Sequence, residues 1–288
     1  MRHLLLLLTL VVPLAPYAAA QTPPRAKAKA APSATSPDPE MPRPIDAADS
    51  VFLEELTWIE VRDALRAGKT TVLVATGGIE MNGPYLALGK HNYVLRATTE
   101  AIARRLGDAL VAPIIAFVPE GDIDPPSGHM RYPGTISLTQ DTFQRLLTDV
   151  ASSLRLHGFR HVIFIGDSGG NQAGMKEVAA ELSVKWAGGP ARIHFIAEYY
   201  DYPGVTKWLE SQGIRQTDEG HHDDFAMSSM MMAVDPATVR IAQRRAKGKF
   251  SINGVALDPA EKTIAMGKRV IDHRASITVA AIRRARGQ

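Results

Sequence analysis

Carboxylate, imidazole, amide and hydroxyl side chains gather in four short segments of this 288-residue chain. The segments are 77–91, 127–138, 157–172 and 222–239. Their chemically capable side chains are Glu80, Asn82, His91, His129, Asp167, Ser168, Asn171, His222 and Asp223. Carboxylates and imidazoles together can hold a divalent metal ion or exchange protons with a substrate near neutral pH. These residue types favour a hydrolytic or metal-binding site, provided that the fold brings the segments together.

One of these segments contains a possible serine nucleophile. The stretch VIFIGDSGGNQ (162–172) includes GDSGG, which looks like the nucleophile signature of chymotrypsin-type proteases and also satisfies G-x-S-x-G. Chymotrypsin-type folds are all-β, whereas these glycines join an apolar strand to a helix, which argues against that class. An α/β-hydrolase elbow stays open as an alternative, with Ser168 as nucleophile, Asp201 as acid and His222 as base. The glycines could equally make a tight turn that has no chemical role.

Strands and helices must position these side chains, and their pattern is regular from Val51 onward. Apolar segments predict buried strands at Thr70–Thr76, Ala109–Val118, His161–Ile165 and Ala191–Ala197. Amphipathic segments predict helices at Trp58–Ala67, Tyr93–Leu106, Thr139–Gly158 and Gln172–Trp186. This alternation predicts an α/β fold with a mainly parallel sheet flanked by helices on both faces. Ligands bind beyond the carboxyl ends of such strands, so we expect the site among loops 77–91, 119–134, 166–171 and 198–203.

The start of the chain has the pattern of a secretory signal peptide over residues 1–20. Arg2 and His3 precede the apolar run Leu4–Leu14, and small residues follow at Ala18–Ala20. Residues 21–46, rich in Pro, Ala and Lys, predict a flexible linker before a single domain over 47–288. We therefore expect a periplasmic or secreted protein that has no membrane contact once the signal peptide is cleaved.

The charge balance argues against a nucleic-acid partner. Lys and Arg number 33 against 30 Asp and Glu, which gives a formal net charge of only +3. Basic residues cluster near the C-terminus, where they predict a solvated helix face. They are Lys268, Arg269, Arg274, Arg283, Arg284 and Arg286.

Four segments together resemble the creatininase (creatinine amidohydrolase) family. GGIEMNGPYLALGKH (77–91) is similar to that family's G-x-x-E-x-H-G-P-H-L-P-x-G-x-D signature, and SGHMRYPGTISL (127–138) to its H-x-x-[FY]-P-G-T-I-S-L stretch. HGFRHVIFIGDSGGNQ (157–172) and HDDFAMSSMMMAVDPATV (222–239) match two further blocks in order and spacing. The resemblance implies a homo-oligomer, often a hexamer, in which two divalent metal ions help to hydrolyse C–N bonds of a small-molecule substrate.

The chain departs from the family at several metal-ligand positions. Glu80 and His222 match family positions, but Asn82 and Ser168 replace histidines and Met227 replaces a glutamate. His91 stands where the family has an aspartate that bridges two metals. Because two close cations need shared negative charge, these changes argue against a two-metal site. We predict one divalent ion, Zn²⁺ with Mn²⁺ or Fe²⁺ as alternatives; its predicted ligands are Glu80, His91, Asp167 and Asp223.

The predicted activity is hydrolysis of a small cyclic or linear amide. Glu80, Asp167 and His222 are the predicted catalytic residues, with His222 carrying a proton to the leaving nitrogen. Four further side chains are predicted to bind substrate, namely Asn82, Ser168, Asn171 and His129. The acidic loop of Glu120, Asp122 and Asp124 would favour a cationic substrate. Other hypotheses are a metal-free hydrolase or lyase, a serine hydrolase using Ser168, and a non-catalytic periplasmic binding protein.

Overall fold

The computed structural model describes residues 36–288. Pro42–Gln288 forms one compact unit. Residues 36–41 belong to the other unit, where the Met41 amide donates a hydrogen bond to the Asp38 carbonyl. The predicted signal peptide (1–20) and most of the predicted linker (21–46) lie outside the described residues and stay predictions.

The centre of the larger unit is a parallel four-stranded sheet with the strand order β2-β1-β3-β4. Its strands are β1 (Thr71–Thr76), β2 (Ala109–Val111), β3 (His161–Gly166) and β4 (Arg192–Phe195). Every residue of β1 is buried, as expected for a strand covered on both faces. Thr76 pairs with Gly166, so β1 and β3 end at the same level. The predicted α/β fold with a mainly parallel sheet is confirmed.

Helices cover both faces of this sheet. They are α1 (Trp58–Arg66), α2 (Lys90–Leu106), α3 (Gln140–Leu156), α4 (Gly169–Lys185), α5 (Tyr202–Ser211), α6 (Phe225–Val234), α7 (Ile241–Ala246) and α8 (Ala260–Ala285). Val72 and Val74 of β1 pack with α3 and α4, whereas Leu73 and Ala75 pack with α2 and α8. This alternation follows from the two-residue period of a strand. No helix among the described residues is both long and apolar enough to span a membrane.

A third apolar cluster surrounds α6. Met227 and Met230–Met232 are buried there. A short antiparallel hairpin of β5 (Ser251–Ile252) and β6 (Val255–Ala256) adjoins the cluster.

The second predicted strand is much shorter than expected. Regular pairing stops at Val111, although Ala112 still donates to the Leu73 carbonyl and Ile115 to the Ala75 carbonyl. Pro113 has no N–H and cannot continue the hydrogen-bond ladder. The apolar run therefore leaves the sheet early and leads into the loop that begins at Pro119.

Two helices begin three residues earlier than predicted. Helix α2 starts at Lys90 rather than Tyr93, and α4 starts at Gly169 rather than Gln172. In contrast, the predicted start at Thr139 agrees with α3, where Thr139 is the N-cap and its side chain accepts the Thr142 amide. The earlier start places Lys90 and His91 in the first turn of α2, where the helix holds them rigidly.

Candidate active site

The carboxyl edge of the sheet holds a cavity of about 1070 Å³. All four loops expected there contribute to its lining, namely 77–91, 119–134, 166–171 and 198–203. Residues 222–224, just before α6, complete the wall. The cavity therefore lies where a parallel sheet offers a ligand site.

Glu80, which follows β1, is the centre of this site and is only 2% exposed. Its Oε1 lies 2.7 Å from Nε2 of His91, 3.2 Å from Nε2 of His222 and 3.6 Å from Nζ of Lys90. Its Oε2 lies 3.3 Å from Nε2 of His129. Burial alone would raise the pKa of Glu80, but hydrogen bonds from His222 and His91 outweigh it and hold the pKa well below its usual range. Glu80 is therefore ionised.

Asp167, directly after β3, holds the other side of His91. Its Oδ2 lies 2.8 Å from Nδ1 of His91, and its Oδ1 lies 2.6 Å from Nη2 of Arg274. Burial would raise the pKa of Asp167, but the charges of Arg274 and His91 lower it overall. Two ionised carboxylates thus flank one imidazole, and both can only accept hydrogen bonds. Both ring nitrogens of His91 lie within hydrogen-bond distance of a carboxylate oxygen.

Arg274 comes from α8 and was not expected at the site. Its side chain is 2% exposed, so the predicted solvated helix face is wrong for this residue. Besides Asp167, the guanidinium donates to the Tyr199 carbonyl and lies over the rings of Tyr199 and Tyr202. The spacing of basic residues in α8 gave no sign of this partner, because Asp167 lies 107 positions earlier in the chain.

Glu120 is a second buried carboxyl group beside Glu80. Ser168 Oγ donates to its Oε2 at 3.0 Å. Burial, followed by the negative charge of Glu80, raises the pKa of Glu120 to about 9. The absence of a side chain at Gly78 makes room for it, since a Cβ there would overlap Oε1 of Glu120. From the sequence, Glu120 is only one of three acidic residues in the loop 119–134, and no individual role is predicted for it.

The contacts of Ser168 do not form a serine-hydrolase triad. Among the described residues, Ser168 makes no hydrogen bond to an imidazole. Asp201, the expected acid, accepts the Gly204 amide at the start of α5 instead. His222, the expected base, faces Glu80. This geometry disfavours Ser168 as the nucleophile.

Asn82 and Asn171 hold backbone segments in place and do not line the cavity. The Asn82 amide donates to the carbonyls of Glu80, Ala87 and Leu88. The Asn171 amide donates to the Thr76 and Gly77 carbonyls. Both residues are fully buried, so the structure gives them a supporting role in place of the predicted substrate contacts.

A candidate metal site consists of Glu80, His129 and His222, whose ligand atoms lie within 4.8 Å of one another. One carboxylate and two imidazoles facing an open cavity suit a single divalent ion with a free coordination position. Of the four predicted ligands, only Glu80 belongs to this group. Both ring nitrogens of His91 are engaged by Asp167 and Glu80, and Asp167 is also paired with Arg274.

Asp223, the remaining predicted ligand, lines the cavity but is held by its own loop. Its carboxylate accepts hydrogen bonds from the Asp224 amide and from Ser228 Oγ. Burial, and then the charge of Asp224, raises the pKa of Asp223 to about 7. The helix cap in this segment is Asp224, which accepts the Met227 amide.

The backbone at His222 is strained. Its φ is 50°, in the left-handed region that non-glycine residues rarely adopt. The neighbouring Gly220 has φ of 73° and absorbs part of the turn. Such strain persists where the surroundings hold a functional side chain in place, here against Glu80 and the ring of His129, whose centroid is 4.4 Å away.

Fold and site together define an α/β protein with a buried carboxylate and imidazole centre at the edge of a parallel sheet, an arrangement suited to hydrolysis. The family model described as "Creatininase: Creatinine amidohydrolase" matches residues 54–282. The chain therefore belongs to the creatininase family, whose members are amidohydrolases acting on C–N bonds.

Two characterised relatives show sequence similarity. The creatinine amidohydrolase of Pseudomonas putida is 27% identical over 195 residues, which cover 66% of this chain and 74% of that protein. The mycofactocin precursor peptide peptidase of Mycolicibacterium smegmatis is 28% identical over 116 residues, covering 38% and 44% respectively.

Solved creatininase structures share the fold. A creatinine amidohydrolase aligns with a TM-score of 0.58 and 23% identity, over 84% of this chain and 98% of the other. A creatininase described as the Mn form has a TM-score of 0.60 at 22% identity, over 82% and 99%. A creatininase variant described as Zn-Zn type also has a TM-score of 0.60 at 22% identity, and the alignment covers 83% of this chain and 99% of the variant.

Proposed function

We propose that this chain hydrolyses the C–N bond of a small cyclic or linear amide. The observation that carries the proposal is the convergence of three imidazoles on the ionised Glu80 at the wall of a cavity of about 1070 Å³. The names of the two relatives, an amidohydrolase and a peptide peptidase, both describe cleavage of C–N bonds and support the same class of reaction.

A single divalent ion, Zn²⁺ with Mn²⁺ or Fe²⁺ as alternatives, completes this proposal. Glu80, His129 and His222 would hold it. When bound, such an ion polarises an amide carbonyl and lowers the pKa of a coordinated water. The forms described for the neighbouring structures, Mn and Zn-Zn, support metal use in the family.

The surrounding residues position these groups and supply protons. The series Arg274, Asp167, His91 and Glu80 fixes the central carboxylate through buried ion pairs. With His222 engaged as a ligand, its Nε2 cannot also carry the proton for the leaving nitrogen. We assign that proton to Glu120, a cavity-lining carboxyl group whose pKa is raised first of all by burial.

A hydrolysis screen on zinc-loaded protein tests the function. Small cyclic amides, creatinine among them, and short linear amides are incubated with the chain, and the released carboxylate and amine are measured by mass spectrometry. We expect turnover of at least one amide, reduced by about 100-fold or more in Glu80→Gln, which loses a ligand. Glu181→Gln, an exposed change on α4, should leave the rate unaltered.

Two results would contradict the proposal. One is no turnover across the panel by protein shown to contain zinc, and the other is full activity in Glu80→Gln. Tight binding of an amide without cleavage would instead favour the non-catalytic binding protein. Export to the periplasm or medium and assembly into a homo-oligomer are further proposals, supported by the sequence pattern and the family resemblance.

A further inference from the structure

Lys90 is buried in the wall of the cavity at the first position of α2. The residue is 4% exposed, and its ammonium lies 3.6 Å from Oε1 of Glu80. Within residues 36–288 this ammonium makes no hydrogen bond and no other ion pair. Burial of a charge and its placement at the positive end of a helix are both unfavourable. The Lys90 ammonium is held by this one ion pair in the lining of the cavity.

A second basic side chain contacts the same oxygen of Glu80. His91 follows Lys90 in the first turn of α2, and its Nε2 lies 2.7 Å from Oε1 of Glu80. His222, a candidate metal ligand, also contacts Oε1, at 3.2 Å, whereas His129 faces Oε2. Lys90 and His91 therefore lie directly beside the candidate metal site.

The described residues bring together one group of metal ligands in the cavity, Glu80, His129 and His222. Of the other carboxyl groups nearby, Asp167 is engaged by Arg274 and His91, and Asp223 by Ser228 and a backbone amide. Glu120 accepts from Ser168 through Oε2, and its Oε1 has no hydrogen-bond partner among the described residues. No second group of metal ligands occurs in the part of the chain that the structure describes. Two close divalent ions would also be repelled by the Lys90 ammonium.

We infer that Lys90, with His91 beside it, takes the place of a second divalent cation and presents its ammonium to a carbonyl or carboxylate oxygen of the substrate. This inference rests on the proposed one-metal hydrolase. An ammonium fixed beside a metal site suits an oxygen that becomes more negative during amide hydrolysis, because its charge is already in place. Lys90 would then be a catalytic residue of the proposed reaction.

Zinc titration of chelator-treated protein tests the charge replacement. Calorimetry and elemental analysis should give one Zn²⁺ per wild-type chain. Lys90→Met should bind Zn²⁺ about tenfold more tightly or better, because a repelling charge is removed. Lys90→Arg should stay within about threefold of wild type, since it keeps the charge. Lys176→Met, an exposed change on α4, is the matched control and should bind as wild type does.

Binding of oxamate, an amide with carboxylate oxygens, to the metal-free chain tests the oxygen contact. We expect measurable binding to wild type, a loss of about tenfold or more in Lys90→Met, and retention in Lys90→Arg. No binding to wild type, or equal binding to Lys90→Met, would overturn the assigned contact.

The titration also separates this inference from the proposed function. Two zinc ions per wild-type chain, none, or unchanged affinity in Lys90→Met would overturn the charge replacement even if the protein cleaves amides. One ion with the expected charge dependence, in a chain that cleaves no amide, would refute the function alone. The wild-type stoichiometry decides this point even if Lys90→Met fails to fold.

Discussion

Asp167 and Arg274 form the most buried ion pair of the site, at 2.6 Å with side chains 0% and 2% exposed. Arg274→Met would leave the Asp167 carboxylate buried, with only the side chains of His91 and Tyr202 as hydrogen-bond partners among the described residues. We expect a loss of about 3–5 kcal/mol in the free energy of unfolding, measured by urea denaturation.

Substitution of Asp167, the partner of Arg274, tests whether the unpaired carboxylate causes that loss of stability. Adding Asp167→Asn to Arg274→Met removes the stranded charge, so the double variant should recover part of the lost stability. Arg284→Met breaks an exposed pair with Glu198 and should cost about 1 kcal/mol or less. Equal losses of unfolding free energy in Arg274→Met and Arg284→Met would show that the buried ion pair contributes no more to stability than the exposed one.

His194 on β4 should make the free energy of unfolding depend on pH, and this residue does not belong to the candidate active site. Burial, and then the charge of His161, lowers the pKa of His194 to about 4. Because the pKa of His194 is lower in the folded state than in the unfolded state, the unfolded state binds the proton first as pH falls. The free energy of unfolding is therefore unaffected above the unfolded pKa near 6.5 and decreases as pH falls towards 4. Because the ring is partly exposed, we expect a loss of only about 1 kcal/mol between about pH 7 and pH 4.5.

The free energy of unfolding, measured by urea denaturation at several pH values, checks this. His194→Gln should flatten the profile in that interval, whereas the exposed His157→Gln should keep the wild-type slope. A His194→Gln profile parallel to wild type would contradict the assignment.

At the scale of elements, α8 approaches α6 through a glycine. A Cβ at Gly267 would overlap the Ser229 carbonyl of α6. In an open helix, Gly→Ala stabilises by about 0.5–1 kcal/mol, but here the added methyl must push the helices apart. We expect Gly267→Ala to destabilise by about 1–3 kcal/mol in urea denaturation.

Gly267→Ala should also disturb the candidate metal site. Arg274 lies seven residues after Gly267, on the same face of α8, so displacement of the helix moves the guanidinium away from Asp167. Zinc affinity should fall in Gly267→Ala, while Ser276→Ala, an exposed change on α8, should alter neither quantity. If Gly267→Ala instead increased the free energy of unfolding, α8 and α6 would not pack as closely at Gly267 as the distances indicate.

The elements also show what sequence patterns could predict. Apolar runs and turn residues located the strands that form the sheet, and hence the four loops that meet at the cavity. The helical starts were less accurate, because α2 begins with the polar residues Lys90, His91 and Asn92, which carry no apolar periodicity. That error placed Lys90 in a loop and concealed its burial. Pairings between distant positions, such as Arg274 with Asp167, leave no local pattern.

At the scale of the whole molecule, the candidate metal ligands come from three separate connections. Glu80 follows β1, His129 lies in the turn Gly128–Arg131, and His222 precedes α6. An ion bound to all three would tie together loops that unfolding separates. Metal binding should therefore stabilise the entire fold, because the unfolded chain cannot hold these ligands in one place.

Thermal unfolding with and without zinc tests this linkage. At about 100 times the dissociation constant, zinc should add about 2.7 kcal/mol, and a shift of roughly 5–10 °C in Tm follows for a domain of this size. His129→Gln should lose most of the shift, and a chelator should reverse it in wild type. His157→Gln, which changes an exposed histidine far from the cavity, should keep the full shift. An equal shift in His129→Gln would mean that zinc binds elsewhere, and the three-residue site would have to be abandoned.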